Sequence, residues 1–370
     1  MIEISRYEVQ GGVSEYHIMI HVDNPRLAYA EQVKSVLSAY TQLLEGELKG
    51  AVTVLKRFFL SDAANQSDYL QTLLVEQEAC PLSIVEQSPL NGTKIALWAY
   101  LQKGVELKAL SHGMYEVKHG AYRHLWMAGA CHETSDAEAQ TRQLFDDYIT
   151  LLREQGCTLA ENCLRTWFFV QNVDVNYAGV VKARNEVFAT QNLTNQTHFI
   201  ASTGIAGRHA NHQVSVLMDA YAVQGIRQEQ IRYLYAPTHL NPTYEYGVSF
   251  ERGTAVDYGD RRQVFISGTA SINNKGEVVH PGDICNQTLR MWENVEVLLA
   301  EAECTFEHVS HLIVYLRDVA DYIVVKEVFD ERFPNIPKVY LLAPVCRPGW
   351  LIEMECMAVK TIHNERFSAY

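Results

Sequence analysis

Hydrophobic and polar positions repeat along this chain in one pattern, written twice in full and once in a weaker form. In residues 141–177, "TRQLFDDYITLLREQGCTLAENCLRTWFFVQNVDVNY", Leu144, Tyr148, Leu151 and Leu152 recur at helical spacing before "CT" breaks the run and an alternating apolar stretch begins. Residues 288–322, "TLRMWENVEVLLAEAECTFEHVSHLIVYLRDVADY", repeat this with Trp292, Val295, Leu298 and Leu299. Each copy follows a strand-like segment, "RHLWMAGA" or "RQVFISGTAS", and precedes a second helix, "AGVVKARNEVFATQ" or "IVVKEVFDERF". Each then closes on an apolar strand, "VSVLMDAYAV" (214–223) or "WLIEMECMAV" (350–359). Residues 29–74 carry the helix, strand and second helix once more, and "CPLSIVEQSPLNGTKIALWAYL" supplies a final strand pair.

The pattern predicts three β-rich α+β units with helices on one face of each sheet, bounded at 1–108, 109–225 and 226–370. The connections "HGMYEVKHGAY" and "YAPTHLNPTYEYGVSFERGTAVDYG" are polar and bear Gly or Pro, as segments lying over a neighbouring unit would be. One irregularity stands out in the last strand. Glu353 and Glu355 interrupt its apolar run on one face. Aligning the copies sets Glu353 against Leu217 and Ala96, and Glu355 against Asp219 and Trp98. A position that accepts Leu and Ala in sister units does not need an acid for packing, so Glu353 calls for a separate reason. Glu355, matched by Asp219, reads as structural.

Composition narrows the function class. The chain has 370 residues, 48% hydrophobic and 20% charged, ordinary for a globular protein. A net charge of −13 argues against a nucleic-acid partner, which requires a basic footprint. No apolar run reaches membrane-spanning length and no leader pattern opens the chain, so the expectation is a cytoplasmic protein without a membrane partner. The eight cysteines form no C-x-x-C pair, which fits a reducing compartment. "HANH" (209–212) lacks the companions of a metal site and reads as a loop, and the N-x-T matches carry no meaning without export. There is no glycine-rich phosphate loop, no dinucleotide fingerprint and no G-x-S-x-G elbow, so no cofactor and no metal are expected.

The repeat resembles the Rid (YjgF-like, chorismate-mutase-like) family of reactive-intermediate deaminases, which assemble as trimers with sites between subunits. Three copies in one chain imply a covalent pseudo-trimer and a monomer with internal pseudo-threefold symmetry. Over roughly 160–360, "RNEVF", "STGIAG", "SFERG", "SGTASI" with "HPGDICNQT", and "VCRPGWLIEME" resemble the chorismatase family, which releases pyruvate from chorismate. That resemblance implies Glu353, seven residues beyond Cys346, as general acid. It also implies that Cys346 marks the type forming 3-hydroxybenzoate, its thiol assisting aromatisation; the plain alternative is a buried small apolar side chain.

The chemistry so implied asks for particular partners. Protonating the enolpyruvyl ether makes an oxocarbenium ion, and a desolvated carboxyl can donate the proton and then face the cation as an anion. A dianionic substrate calls for forked donors: Arg347 beside Cys346, Arg252 in "SFERG", and Arg184 in "KARNEVF". Gly268 and Thr269 in "SGTAS" are expected to bring backbone N–H groups close to the ligand. Tyr244 and Tyr246 lie on the segment expected to cover the cleft. "APTHLNPTYEYG" departs from the chorismatase version, which leaves the exact substrate open. Two other readings stay open: Rid-type hydrolysis of enamines and imines, and ligand binding without turnover.

Overall fold

A computed structural model describes every residue except 76, 78, 134 and 135. The first third contains β1 (Ile2–Tyr7), β2 (Ser14–His21), α1 (Tyr29–Glu45), β3 (Val52–Leu60), α2 (Ala63–Leu74), β4 (Leu82–Glu86), β5 (Ser88–Pro89) and β6 (Ile95–Lys103). Next come β7 (Glu106–Ala109), β8 (Met114–His119), β9 (Tyr122–Cys131), α3 (Ala137–Glu154), α4 (Leu159–Asn162), β10 (Cys163–Val170), α5 (Val173–Thr190), β11 (Ala201–Ala206) and β12 (Val216–Gln224). The last part holds β13 (Ile231–Leu234), β14 (Gly253–Asp257), β15 (Arg261–Ala270), α6 (Ile284–Glu301), β16 (Val309–Leu316), α7 (Tyr322–Arg332), β17 (Lys338–Leu342) and β18 (Ile352–Thr361). No helix among the described residues is long and apolar enough to cross a membrane.

The strands form three sheets on one plan. Their orders are β1-β2-β6-β3-β4, β8-β9-β12-β10-β11 with β7 added outside β8, and β14-β15-β18-β16-β17 with β13 outside β14 and β5 outside β17. In each, one parallel pair (β3–β4, β10–β11, β16–β17) is joined through a helix, as a parallel connection requires. Local chemistry marks the helix starts: Asp62, Asp136 and Asp283 accept the N–H groups of Asn65, Ala139 and Asn286, capping α2, α3 and α6. The "CT" pair ends the long helix as read from the sequence, and Thr158 and Thr305 then cap the short turns that follow.

Alternation along the strands sets what each face meets. On β6, Ile95, Leu97, Ala99 and Leu101 pack under α1 and α2, while Ala96, Trp98 and Tyr100 join a core shared with the other sheets. On β12, Val216, Met218, Ala220 and Ala222 lie under α3 and α5, while Leu217, Tyr221 and Val223 enter that shared core. The three sheets therefore turn their helix-free faces toward one another.

Register carries the comparison to β18. Leu60 faces Ile95, Val170 faces Val216 and Leu316 faces Ile352, so Ala96, Leu217 and Glu353 hold one position and Trp98, Asp219 and Glu355 another. Both glutamates thus project on the face turned to the neighbouring sheets. Opposite the second position lies a β-bulge in two of the three cases. Ala128 and Gly129 of β9 face Asp219, and Ser267 and Gly268 of β15 face Glu355. β2 runs past Trp98 in unbroken register.

Candidate active site

The second and third sheets meet along β11. Glu251 N–H bonds to Ile200 O at 3.0 Å, Ser202 N–H to Ser267 Oγ at 2.9 Å, and Ala206 N–H to Pro344 O at 3.1 Å. Between these ties the seam opens into a hollow of about 510 Å³, counting the part open to solvent. Glu353, Cys346, Arg347, Arg252, Arg184, Gly268 and Tyr246 all line it, though they come from α5, β15, β18 and two connecting segments.

Glu353 is buried. Loss of water pushes its carboxyl up to about 8, the charge of Glu355 adds to this, and Arg165 and Arg252 pull the other way. It is therefore a protonated acid at neutral pH. Gly268 makes the space: a Cβ there would overlap Glu353 Oε1. In the equivalent bulge between the first and second sheets, a Cβ on Gly129 would meet Leu82 O at 2.7 Å, because β4 main chain presses on it. Leu217 stands there in place of the acid.

The guanidinium groups differ in their commitments. Arg252 gives hydrogen bonds to Asn241 O and Oδ1 at 3.0 and 3.1 Å. Arg347 stacks over Tyr246 at 4.6 Å and Trp350 at 5.1 Å. Arg184 is buried, and its Nε and one terminal nitrogen have no hydrogen-bond partner among the described residues. Desolvated donors left open toward a hollow favour an anionic ligand. The residue before it, Glu251, pushed up to about 7 by burial, accepts the Phe199 N–H at 2.7 Å and so ties this segment to the second sheet's side of the seam.

Cys346 sits inside the hollow as a thiol. Burial pushes it up to about 12, the Glu353 charge adds to this, and Arg347, a hydrogen bond from Tyr177 and Arg184 oppose it. Its loop is fixed from two sides: Arg317 donates to Val345 O at 2.6 Å, and Gln287 of α6 donates to Gly349 O and accepts from Leu351 N–H, both at 2.9 Å.

Two expectations need correction. Gly268 N–H already donates to Thr203 Oγ1 at 2.9 Å, so it is not free for a ligand; the bulge turns it into the seam. Thr269 points to the other side of β15, its hydroxyl bonded to Ser267 O at 2.9 Å. Tyr244 borders a neighbouring hollow and is 47% exposed, whereas Tyr246 of the same segment lines this one. Among the lining residues not read from sequence are Tyr177 on α5, Gly204, whose missing Cβ makes room for the Tyr177 ring, and Trp350 under Arg347. Gly204 in "STGIAG" was the available signal. Among the described residues, no three His, Cys, Asp or Glu side chains come together to hold a metal.

Residues 253–360 match the family model described as Endoribonuclease L-PSP. Over 100 residues the chain is 36% identical to a RutC family protein of Pyrococcus abyssi, a match covering 26% of this chain and 78% of that protein. The chain belongs to the RutC family. A further RutC relative, the 3-aminoacrylate deaminase of Acinetobacter baylyi, is 32% identical over 97 residues, covering 26% of this chain and 77% of that one. These matches each span about a quarter of this chain. At the scale of the whole RutC-family chain, a crystal structure of chorismatase superposes with a TM-score of 0.67 at 18% identity, covering 93% of this chain and 98% of that one. The α+β, chorismatase-type fold expected from the repeat and its motifs is thereby borne out.

Proposed function

We propose that this protein is a chorismatase-like enzyme that releases pyruvate from chorismate, or from a close relative of it, with Glu353 as general acid. The observation that carries this reading is a protonated, buried carboxyl sharing one hollow with three guanidinium groups, Arg184 and Arg252 among them with unused buried donors. A dianionic enol ether needs both: forked cations for its carboxylates and an acid for its enol carbon.

Glu353 gives its proton to the methylene carbon and, as an anion, faces the oxocarbenium ion it has made. The ring–ether C–O bond breaks, pyruvate keeps the ether oxygen as its keto oxygen, and the oxygen of the neighbouring ring hydroxyl closes onto the vacated carbon as it gives up its proton; reopening of that epoxide with a hydrogen shift aromatises the ring and leaves its oxygen at the 3-position. The hydroxyl proton restores the acid. The sum of a hydroxybenzoate and pyruvate balances chorismate without water; 3-hydroxybenzoate is the product the Cys346 resemblance favours. A thiol held in its neutral form is suited to relaying a proton rather than to attacking as a nucleophile. Arg184, Arg252 and Arg347 hold the carboxylates, and Tyr246 and Trp350 bound the ring.

The test is pure protein with chorismate and a coupled assay for pyruvate, beside Glu353→Gln. The variant is expected to lose a factor of about 10²–10⁴ in kcat/KM. Because the acid works only while protonated, kcat/KM in the wild type falls as pH rises through about 8. Unchanged pyruvate release by the variant overturns the assignment. Membership in the RutC family supports a second reading, enamine and imine hydrolysis at the same site, and imine turnover without pyruvate from chorismate would establish it instead.

A further inference from the structure

We propose that the buried ion pair between Arg57 of the first sheet and Asp219 of the second is a positioning device for Glu353 in the third, keeping that carboxyl protonated by balancing the charge around it. This rests on Glu353 being the proton donor. Arg57 is fully buried; its Nε and one terminal nitrogen donate to Asp219 Oδ2 at 3.2 and 2.7 Å, and its other terminal nitrogen lies 3.8 Å from Glu355 Oε1 without a hydrogen-bond partner among the described residues. Asp219 Oδ1 accepts the Gly129 N–H of the bulge at 2.7 Å. Glu355 accepts from Arg165 at 2.7 Å, from Trp167 Nε1 at 2.9 Å and from Thr203, the same hydroxyl that receives the Gly268 N–H.

Two buried cations and two buried carboxylates cancel. An ionised Glu353, two residues along β18 on the same face, would leave this cluster with one uncompensated negative charge in a desolvated interior. Other groups face Glu353 as well: beyond burial, Glu355 on its own strand pushes its carboxyl up, Arg165 on β10 and Arg252 on the covering segment pull it down, and Arg184 on α5 and Arg347 on the loop line the same hollow. Tyr315 across β16, Tyr177 on α5 and Cys346 on the loop are held neutral, each raised first by burial.

Packing does not ask for a guanidinium at residue 57. Register places Arg57 opposite Trp98, and the equivalent positions in the other sheets hold Trp167 and Ile313. The first sheet, which has no acid of its own at the matching place, thus supplies a charge to the site built by the other two.

The experiment compares Asp219→Asn, Arg57→Met and the double variant with wild type. It follows the pH dependence of pyruvate release and, separately, the infrared carboxylic-acid band that Glu353→Gln removes. Asp219→Asn leaves the cluster positive and is expected to move the alkaline limb and the band's titration down by about one pH unit or more; Arg57→Met leaves it negative and moves both upward. The double variant, neutral again, returns to the wild-type position. The two single variants move in opposite directions, so either decides if the other fails to fold. An unmoved band in a folded single variant, or a double variant that does not return, overturns the proposal. The infrared titration needs no turnover, so absence of pyruvate from wild type sinks the functional reading alone.

Discussion

A methyl group on Gly268 would fill the space that Glu353 Oε1 occupies, so Gly268→Ala displaces the acid rather than the fold. With the backbone there outside the positive-φ region, the expected result is a melting temperature within a few degrees of wild type and kcat/KM lower by about 10²-fold, the cost of misplacing a reacting group by roughly an ångström. Differential scanning fluorimetry beside the pyruvate assay checks both halves. Glu353 is legible in the sequence because the chain contains its own controls: Leu217 and Ala96 show that packing alone does not call for a carboxylate at this place. Tyr177 and Trp350 were not legible, since nothing in an aromatic at helical or loop spacing tells which distant segment it will touch. Thr269 was misread for a different reason. A strand alternates, so a ligand-facing Gly268 places its neighbour on the far side.

Among the elements, α6 does more than cover its sheet. Gln287 is buried and holds the loop before β18 at Gly349 and Leu351. Gln287→Ala strands a carbonyl and an N–H, at a cost on the order of 1–3 kcal/mol, and frees the loop bearing Cys346 and Arg347. The expected outcome is a melting temperature lower by several degrees and a KM for chorismate raised more than kcat is lowered, read by thermal melts and steady-state kinetics. The helix and strand sequence of each unit follows from periods of 3.6 and 2 in the chain, and the observed elements keep that order. The two bulges left no such trace, because "MAGA" and "SGTAS" read as plain strand ends. Nor did the strand pair of Ser88–Pro89 with Leu341 and Leu342, which carries a piece of the first third into the third sheet.

Across the whole molecule, the central faces of the three sheets cover one another, and each sheet's other face lies under its own helices. A repeat that would otherwise need two partners already has them in the same chain. Sedimentation is therefore expected at the 42.0 kDa mass of one chain, independent of concentration; a species three times heavier contradicts this. Repetition in the sequence foretold three sheets, but not which face turns inward. Strands such as β6 and β12 are apolar on both sides, so alternation has no polar face to report. A ribosome makes Arg57 early and Glu355 late, with Asp219 between them. Arg57 therefore has Asp219 as its neighbour from the middle of the chain and Glu355 only from β18. The charge cluster is closed by β18, which lies between β15 and β16 of its own sheet and brings Glu355 to a guanidinium carried by a segment about three hundred residues earlier.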